Sequence, residues 1–115
     1  MTTRDEFRER RFLAEAACGH APFVTQALER LEAGEAEYGS SWAWIGVRRH
    51  LAELLEEAAD LGAWAVLADQ ALDGELALSA AQREQLRQAL RRVAALGAAA
   101  HRLLSEAAEA LAVPR

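Results

Sequence analysis

Acidic and apolar residues form two neighbouring rows along residues 50–72 of the chain. Glu53, Glu57 and Asp60 follow one another at the three- and four-residue spacing of one helix face. At about 100° per residue, these three carboxylates fall within an arc of roughly 60°. The apolar row has the same spacing, and the combined pattern predicts an amphipathic helix. The apolar members are Leu51, Leu54, Leu55, Ala58, Leu61, Ala65 and Val66.

The same periodicity predicts two helices before this one. Thr3 and Glu6 have capping-box spacing, so the first helix is predicted to start at about Arg4. Gly19 is its expected end, and a second helix should run from about residue 22 to residue 38. The acidic row then lies on the third helix, predicted at about residues 47–72, with a turn at Asp73-Gly74.

A fourth helix is predicted from the capping-box pair Ser79 and Gln82 to about residue 111, ahead of Pro114. Its apolar stripe is broad, which suggests contact with more than one neighbour, including a second copy of the chain. Four helices joined by short loops predict an antiparallel four-helix bundle that occupies residues 1–115 as one domain, with a homodimer or higher homo-oligomer as the expected assembly.

Composition and charge narrow the function classes. Hydrophobic residues make up 52% of the 115-residue chain, with only 2 Pro and 7 Gly, which favours an all-helical fold. The formal net charge of −5 argues against a nucleic-acid binder, since neutralising phosphates requires a basic face. No apolar run is long enough to cross a bilayer. The single cysteine, Cys18, excludes an intrachain disulfide, fits a reducing cytoplasm and is predicted to be a small buried residue.

The second helix carries a possible partner for the acidic row. Glu32 and Glu35 lie three residues apart beside its apolar side. If the second and third helices pack antiparallel, these two carboxylates could converge with the row on the third helix. Such an oxygen-rich cluster would suit Mg²⁺ or Mn²⁺, which prefer hard oxygen ligands. A row of carboxylates is equally typical of a plain solvated helix face, so the row alone does not define a site.

Two acidic pairs in this sequence, Glu32-Ala-Gly-Glu35 and Glu57-Ala-Ala-Asp60, carry a family resemblance. Together with the stretch GEAEYGSSW followed by ELLEEAADLGAW, they resemble the all-α nucleoside triphosphate pyrophosphohydrolases, the superfamily of MazG-like proteins and dimeric dUTPases. The resemblance covers about residues 29–72. It implies a MazG-like bundle in which the four acids hold Mg²⁺, with Mn²⁺ as a substitute, and pyrophosphate is released from a nucleoside triphosphate. Glu29 and Glu32 also have the spacing of the first pair, so its register stays open.

Further residues can be given roles in such a reaction. Glu53 is the candidate to orient the attacking water or to accept its proton. Arg48 and Arg49 could hold the leaving pyrophosphate, although plain surface arginines would show the same pattern. Trp64 could stack on the base, as could Trp42 or Trp44, while core or interface positions are the alternative for all three. The rival hypothesis for the whole chain is a catalytically silent helical bundle that serves dimerisation or interaction.

Overall fold

The structure is a computed structural model that describes residues 4–39 and 46–112. Over these residues all regular secondary structure is α-helical, which confirms the predicted all-α class. The helices are α1 (Glu6–Ala17), α2 (Ala21–Tyr38), α3 (Val47–Leu72) and α4 (Ala80–Ala112). The predicted bounds of α2, α3 and α4 agree with these to within one residue.

Helix α1 begins at Glu6, two residues later than its predicted start. The reason is Asp5, whose carboxylate accepts a hydrogen bond from the backbone N–H of Arg8 at 3.0 Å and caps the helix. An aspartate at this position satisfies an otherwise unpaired N–H and interacts favourably with the positive end of the helix dipole. The predicted cap Thr3 lies outside the described residues.

The connection between α1 and α2 corrects the prediction for Cys18. This residue ends α1 in the left-handed conformation, with φ of 48°, and Gly19 follows with φ of 90°. Cys18 is exposed rather than buried. Apolar periodicity could not show this, because the residue belongs to the chain reversal, and connections of this kind run over the protein surface.

The predicted capping box of α4 is confirmed in both directions. The Ser79 hydroxyl accepts a hydrogen bond from the Gln82 backbone N–H at 3.1 Å, and the Gln82 side-chain oxygen accepts one from the Ser79 N–H at 2.8 Å. Two unpaired N–H groups at the helix start are thereby satisfied. The predicted terminator Pro114 lies outside the described residues.

The chain forms two compact units, Met1–Gly46 and Val47–Arg115. In the first, α1 packs on α2, and Val24 is the buried hydrophobic residue. In the second, α3 packs on α4. The pair is antiparallel, because Arg48 in the first turn of α3 donates to the carbonyl of Leu111 at 2.9 Å while Arg83 in the first turn of α4 donates to the carbonyl of Leu72 at 3.2 Å.

Small residues bring α3 and α4 close together. Ala58, Ala65 and Leu72, spaced by seven along α3, are buried, and so is Gly97 on α4. A Cβ at position 97 would lie 3.0 Å from the carbonyl oxygen of Ala58. The backbones therefore approach each other at a point where only glycine fits without displacement.

Ion pairs hold the turn between these two helices. The guanidinium of Arg87 on α4 pairs with Asp73 in the turn and lies 3.4 Å from the carboxylate of Asp69 on α3. Arg83 adds its bond to the last carbonyl of α3, a group that has no partner within the helix itself. Together these two arginines fix the end of the hairpin.

Candidate acidic site

The acidic row of α3 lies on the surface of the second unit. Glu53, Glu57 and Asp60 are all exposed. Glu53 and Asp60 are seven residues apart, a rise of about 10 Å, so one ion cannot bind both. Glu57 and Asp60 are three residues apart and lie on consecutive turns, a spacing at which two helical side chains are neighbours. Glu57 and Asp60 are therefore the two carboxylates of the row whose spacing allows contact with the same ion.

Glu57 and Asp60 differ from Glu53 in their countercharge. The carboxylate of Glu53 accepts a hydrogen bond from the guanidinium of Arg49 at 3.0 Å. Both side chains are exposed, and the two residues are four apart, about one helical turn. Neither Glu57 nor Asp60 has an ion-pair partner among the residues that the structure describes. Two adjacent carboxylates without a cation repel one another, and this repulsion favours the binding of a cation between them.

Trp64 follows the acidic pair by one helical turn. It lies four residues after Asp60, and 69% of its surface is exposed. Trp64 therefore does not lie in the core of the α3–α4 unit, which corrects that part of the alternative prediction, whereas an interface position stays a prediction. A large aromatic face beside two carboxylates is accessible to a planar ligand. Trp42 and Trp44 lie outside the described residues.

The first acidic pair lies on α2, in the other compact unit. Glu32 is exposed and has no ion-pair partner in the described ranges 4–39 and 46–112. The side chain of Glu35 is 36% exposed, and its Oε2 lies 3.0 Å from Nη1 of Arg4. The two carboxylates of this pair therefore differ, since one is open to solvent and the other already has a cation.

Arg4 is the charged residue near the site that sequence reasoning missed. Its Nε and Nη2 donate to the carboxylate of Glu9 at 2.8–3.1 Å, and its Nη1 donates to Glu35. Hydrogen bonding to Glu9 raises the pKa of the guanidinium above its ordinary value; burial opposes this shift, and Glu35 adds to it. Arg4 is 31 residues from Glu35 in sequence, so no local pattern signals the contact.

The two arginines predicted to hold pyrophosphate both have partners in the structure. Arg48 donates to the carbonyl of Leu111 at the end of α4. Arg49 pairs with Glu53, the candidate base. An exposed ion pair of this kind contributes little to the stability of the fold. Its arginine can therefore exchange to another anion at a small cost in free energy. Arg49 is therefore the more available of the two for an anionic ligand.

The donor types suit a hard divalent cation, but the described residues do not form a closed cage. No group of three or more His, Cys, Asp or Glu side chains that could hold a metal ion occurs within residues 4–39 and 46–112. Mg²⁺ is commonly held by one or two carboxylates together with waters and substrate phosphates. Of the two acidic pairs, only Glu57 and Asp60 have both carboxylates without an ion-pair partner among the described residues, since Glu35 is paired with Arg4.

Comparisons of the chain with models of protein families, with curated proteins and with solved structures find no match. Within the described residues, no helix has both the length and the apolarity needed to cross a membrane.

Proposed function

We propose that the chain is a metal-dependent nucleoside triphosphate pyrophosphohydrolase with a MazG-like, antiparallel four-helix bundle. The observation that carries the proposal is the pair Glu57 and Asp60, two exposed carboxylates on consecutive turns that have no countercharge in the part of the chain that the structure describes. The exposed Trp64 follows one turn later. This grouping offers an ionic subsite and an aromatic surface side by side. The resemblance of the acidic pairs to those of the superfamily supports the same assignment.

The proposal gives each candidate side chain of α2 and α3 a role. Glu57 and Asp60 would hold a Mg²⁺ or Mn²⁺ ion, with Glu32 and Glu35 as the proposed ligands from α2. Bound metal supplies charge neutralisation of the triphosphate and a more acidic water. Glu53 would orient that water once Arg49 exchanges from its carboxylate to the pyrophosphate group. Trp64 would stack on the base.

The proposal is tested with a panel of canonical and modified nucleoside triphosphates in the presence of Mn²⁺. We expect at least one member of the panel to yield a nucleoside monophosphate and pyrophosphate, because the proposed activity cleaves the bond between the α- and β-phosphoryl groups. Products are separated by ion-exchange chromatography, which distinguishes pyrophosphate from phosphate. A complete lack of turnover, together with no metal-induced rise in the thermal unfolding midpoint, would contradict the proposal.

The second candidate is a silent homodimerisation module, and a different observation favours it. On α4, Leu96 and Leu103 lie seven residues apart and are 66% and 67% exposed. On α3, Leu54 and Leu61 have the same spacing and are also exposed. Exposed apolar residues that recur at heptad spacing are typical of a helix face that packs against another helix. Such a surface suits a second copy of the chain, with or without catalysis.

This surface gives a prediction about assembly. The double substitution Leu96→Glu and Leu103→Glu should convert a homodimer to a monomer, because four buried charges per dimer would be introduced at the contact. Sedimentation equilibrium measures the mass, and circular dichroism checks that helicity is kept. Leu76→Glu, at an exposed leucine in the turn between α3 and α4, is the matched control and should remain dimeric. A monomeric wild-type protein, or a dimer that survives the double substitution, contradicts the prediction.

A further inference from the structure

The exposed leucines of α3 and α4 lie side by side. A Cβ added at Gly97 would lie 3.6 Å from the Cβ of Leu61 on α3, so Leu96, the residue before it, is at the level of Leu61. In an antiparallel pair, seven residues forward on α4 match seven residues back on α3. Leu103 is therefore level with Leu54, and the two leucine pairs are about 10 Å apart along the helices.

The four leucines share one face of the α3–α4 pair. The other face holds an open depression to which both helices contribute, with Val66 and Gln70 from α3 and Arg91 and Ala94 from α4. At about 100° per residue, the leucines of each helix lie on the opposite side of its buried residues from the residues of the depression. The leucine face is therefore formed by Leu54, Leu61, Leu96 and Leu103.

An aromatic ring, a carboxylate and a guanidinium flank the leucine face. Trp64 follows Leu61 on α3 and Arg92 precedes Leu96 on α4, so both lie at nearly the same level on opposite edges of the face. Asp60 lies one helical turn before Trp64 on the same edge. Neither Asp60 nor Arg92 has an ion-pair partner among the residues that the structure describes. Both edges are thus open to a group of opposite charge.

The size of the leucine face suits a second copy of the chain. Helix α3 has 26 residues and is about 39 Å long, and two helices of about 10 Å diameter side by side give a face of about 800 Å². Stable protein–protein interfaces bury about 800 Å² per partner. Homodimers commonly use the same patch on both subunits, related by a two-fold axis.

Charge decides between the two ways in which a two-fold axis can join these faces. An axis across the helices stacks α3 on α3, and the acidic row of α3 then meets its own copy, which is repulsive. An axis parallel to the helices stacks α3 of each copy on α4 of the other at the same level. Leu61 then meets Leu96 of the second copy, and Trp64 meets Arg92 of the second copy.

We propose that two copies pack with the axis parallel to the helices, so that Arg92 of the second copy lies on the face of the Trp64 ring and within reach of the Asp60 carboxylate. A guanidinium over an indole ring is a favourable cation–π contact, and Asp60 adds an opposite charge beside it. Neighbouring helices all run antiparallel in this arrangement, as in an up-and-down four-helix bundle. The inference rests on the second candidate function, homodimerisation, and adds to it the orientation of the two copies.

Charge reversal tests the contact in the full chain. Asp60→Arg and Arg92→Glu should each raise the dissociation constant of the dimer by about tenfold or more, because each places like charges together at both symmetric contacts. In an equimolar mixture of the two variants, the heterodimer has opposite charges at both contacts. Its dissociation constant should return to within about threefold of the wild-type value. Sedimentation equilibrium measures the dissociation constants, native mass spectrometry measures the heterodimer fraction, and EDTA keeps metal ions out of both measurements.

Arg91→Glu is the matched control for Arg92→Glu. Arg91 is the preceding residue, but it lines the depression on the other face. Arg91→Glu should therefore dimerise like the wild type, and its mixture with Asp60→Arg should not be enriched in heterodimer. Asp60→Arg and Arg92→Glu both keep a negative net charge, since each changes the formal −5 by two units, so general attraction does not favour their heterodimer. Circular dichroism checks that each variant is helical.

The outcomes separate this inference from the second candidate function. If the wild type is a dimer and the mixture of Asp60→Arg with Arg92→Glu is not enriched in heterodimer, the orientation is overturned while homodimerisation stands. Equal weakening of the dimer by Arg91→Glu and Arg92→Glu overturns it as well. If the wild type sediments as a monomer at every concentration, the inference and homodimerisation both fall. Should a charge-reversed variant be unfolded, a double-mutant cycle of Trp64→Ala and Arg92→Ala on the dissociation constant decides, and additive effects overturn the orientation.

Discussion

Gly97→Leu is expected to lower the free energy of unfolding of the protein by about 3 kcal/mol. A Cβ at this position would lie 3.0 Å from the carbonyl oxygen of Ala58 and 3.6 Å from the backbone nitrogen of Gly62. These are backbone atoms, which cannot move aside as a flexible side chain can. The α3–α4 pair would have to separate, and the buried contacts of Ala58 and Ala65 would be weakened. Urea unfolding followed by circular dichroism measures the change.

Glycine to alanine at two positions separates packing from helix propensity. Both Gly62 and Gly97 are within helices, where alanine is intrinsically better by about 1 kcal/mol. An added Cβ at Gly62 meets nothing within 4 Å, so Gly62→Ala should raise the free energy of unfolding by about 0.5–1 kcal/mol. Gly97→Ala should lower it by about 1 kcal/mol, because the contact with Ala58 outweighs propensity. Equal stabilisation by both changes would refute the close approach of α3 and α4.

The helices themselves could be predicted because their signals are local. The capping box at Ser79 and Gln82, the Asp73-Gly74 turn and the three- and four-residue apolar spacing all act within a few residues. Their consequences appear in the structure as hydrogen bonds and helix ends. The start of α1 was misplaced for a similar local reason. Asp and Thr are both residue types that cap helices, so spacing alone does not show whether Thr3 or Asp5, the cap in the structure, precedes the helix.

The hydrogen-bond and ion-pair partners of Arg4 and Arg48 could not be predicted from the sequence, because these contacts join positions that are far apart in the chain. Arg4 reaches Glu35 across 31 residues, and Arg48 reaches Leu111 across 63. Helical periodicity assigns a residue to a face of its own helix, but does not specify what lies against that face. Gly97 illustrates the same limit. It belongs to a broad apolar stripe in the sequence, yet its specific role follows from the position of Ala58 on the other helix.

The shared face of the three acids on α3 could be predicted from the sequence, whereas their position relative to the acids of α2 could not. Helical arithmetic places Glu53, Glu57 and Asp60 on one side of α3, and all three are exposed in the structure. The pairing of Glu53 with Arg49 also follows from four-residue spacing. Convergence of this row with Glu32 and Glu35 is a statement about tertiary structure, and it stays a prediction that only metal binding and the variants below can test.

Asp60→Ala should abolish Mn²⁺ binding at the α3 pair and reduce nucleotide turnover by about 100-fold or more, as expected when a metal ligand or its support is lost. Glu57→Ala should have the same effect, because the proposed site then loses one of the two carboxylates that α3 contributes to it. In the metal-free protein the free energy of unfolding should change by less than about 0.5 kcal/mol, since both side chains are exposed and no ion pair is broken. Isothermal titration with Mn²⁺ and pyrophosphate release measure the two effects.

Two nearby glutamates serve as matched controls for this prediction. Glu56→Ala removes an exposed carboxylate next to Glu57 but on another side of α3, and Glu29→Ala does the same one turn before Glu32 on α2. A site built on Glu57 and Asp60 requires both controls to bind Mn²⁺ like the wild type, whereas a diffuse acidic surface predicts a similar small loss for every variant. Loss of binding in Glu29→Ala would instead shift the first pair to Glu29 and Glu32. Wild-type binding by Asp60→Ala would exclude the α3 pair as the metal site, because the affinity would then not depend on one of its two carboxylates and Glu53, the other acid of the row, is already paired with Arg49.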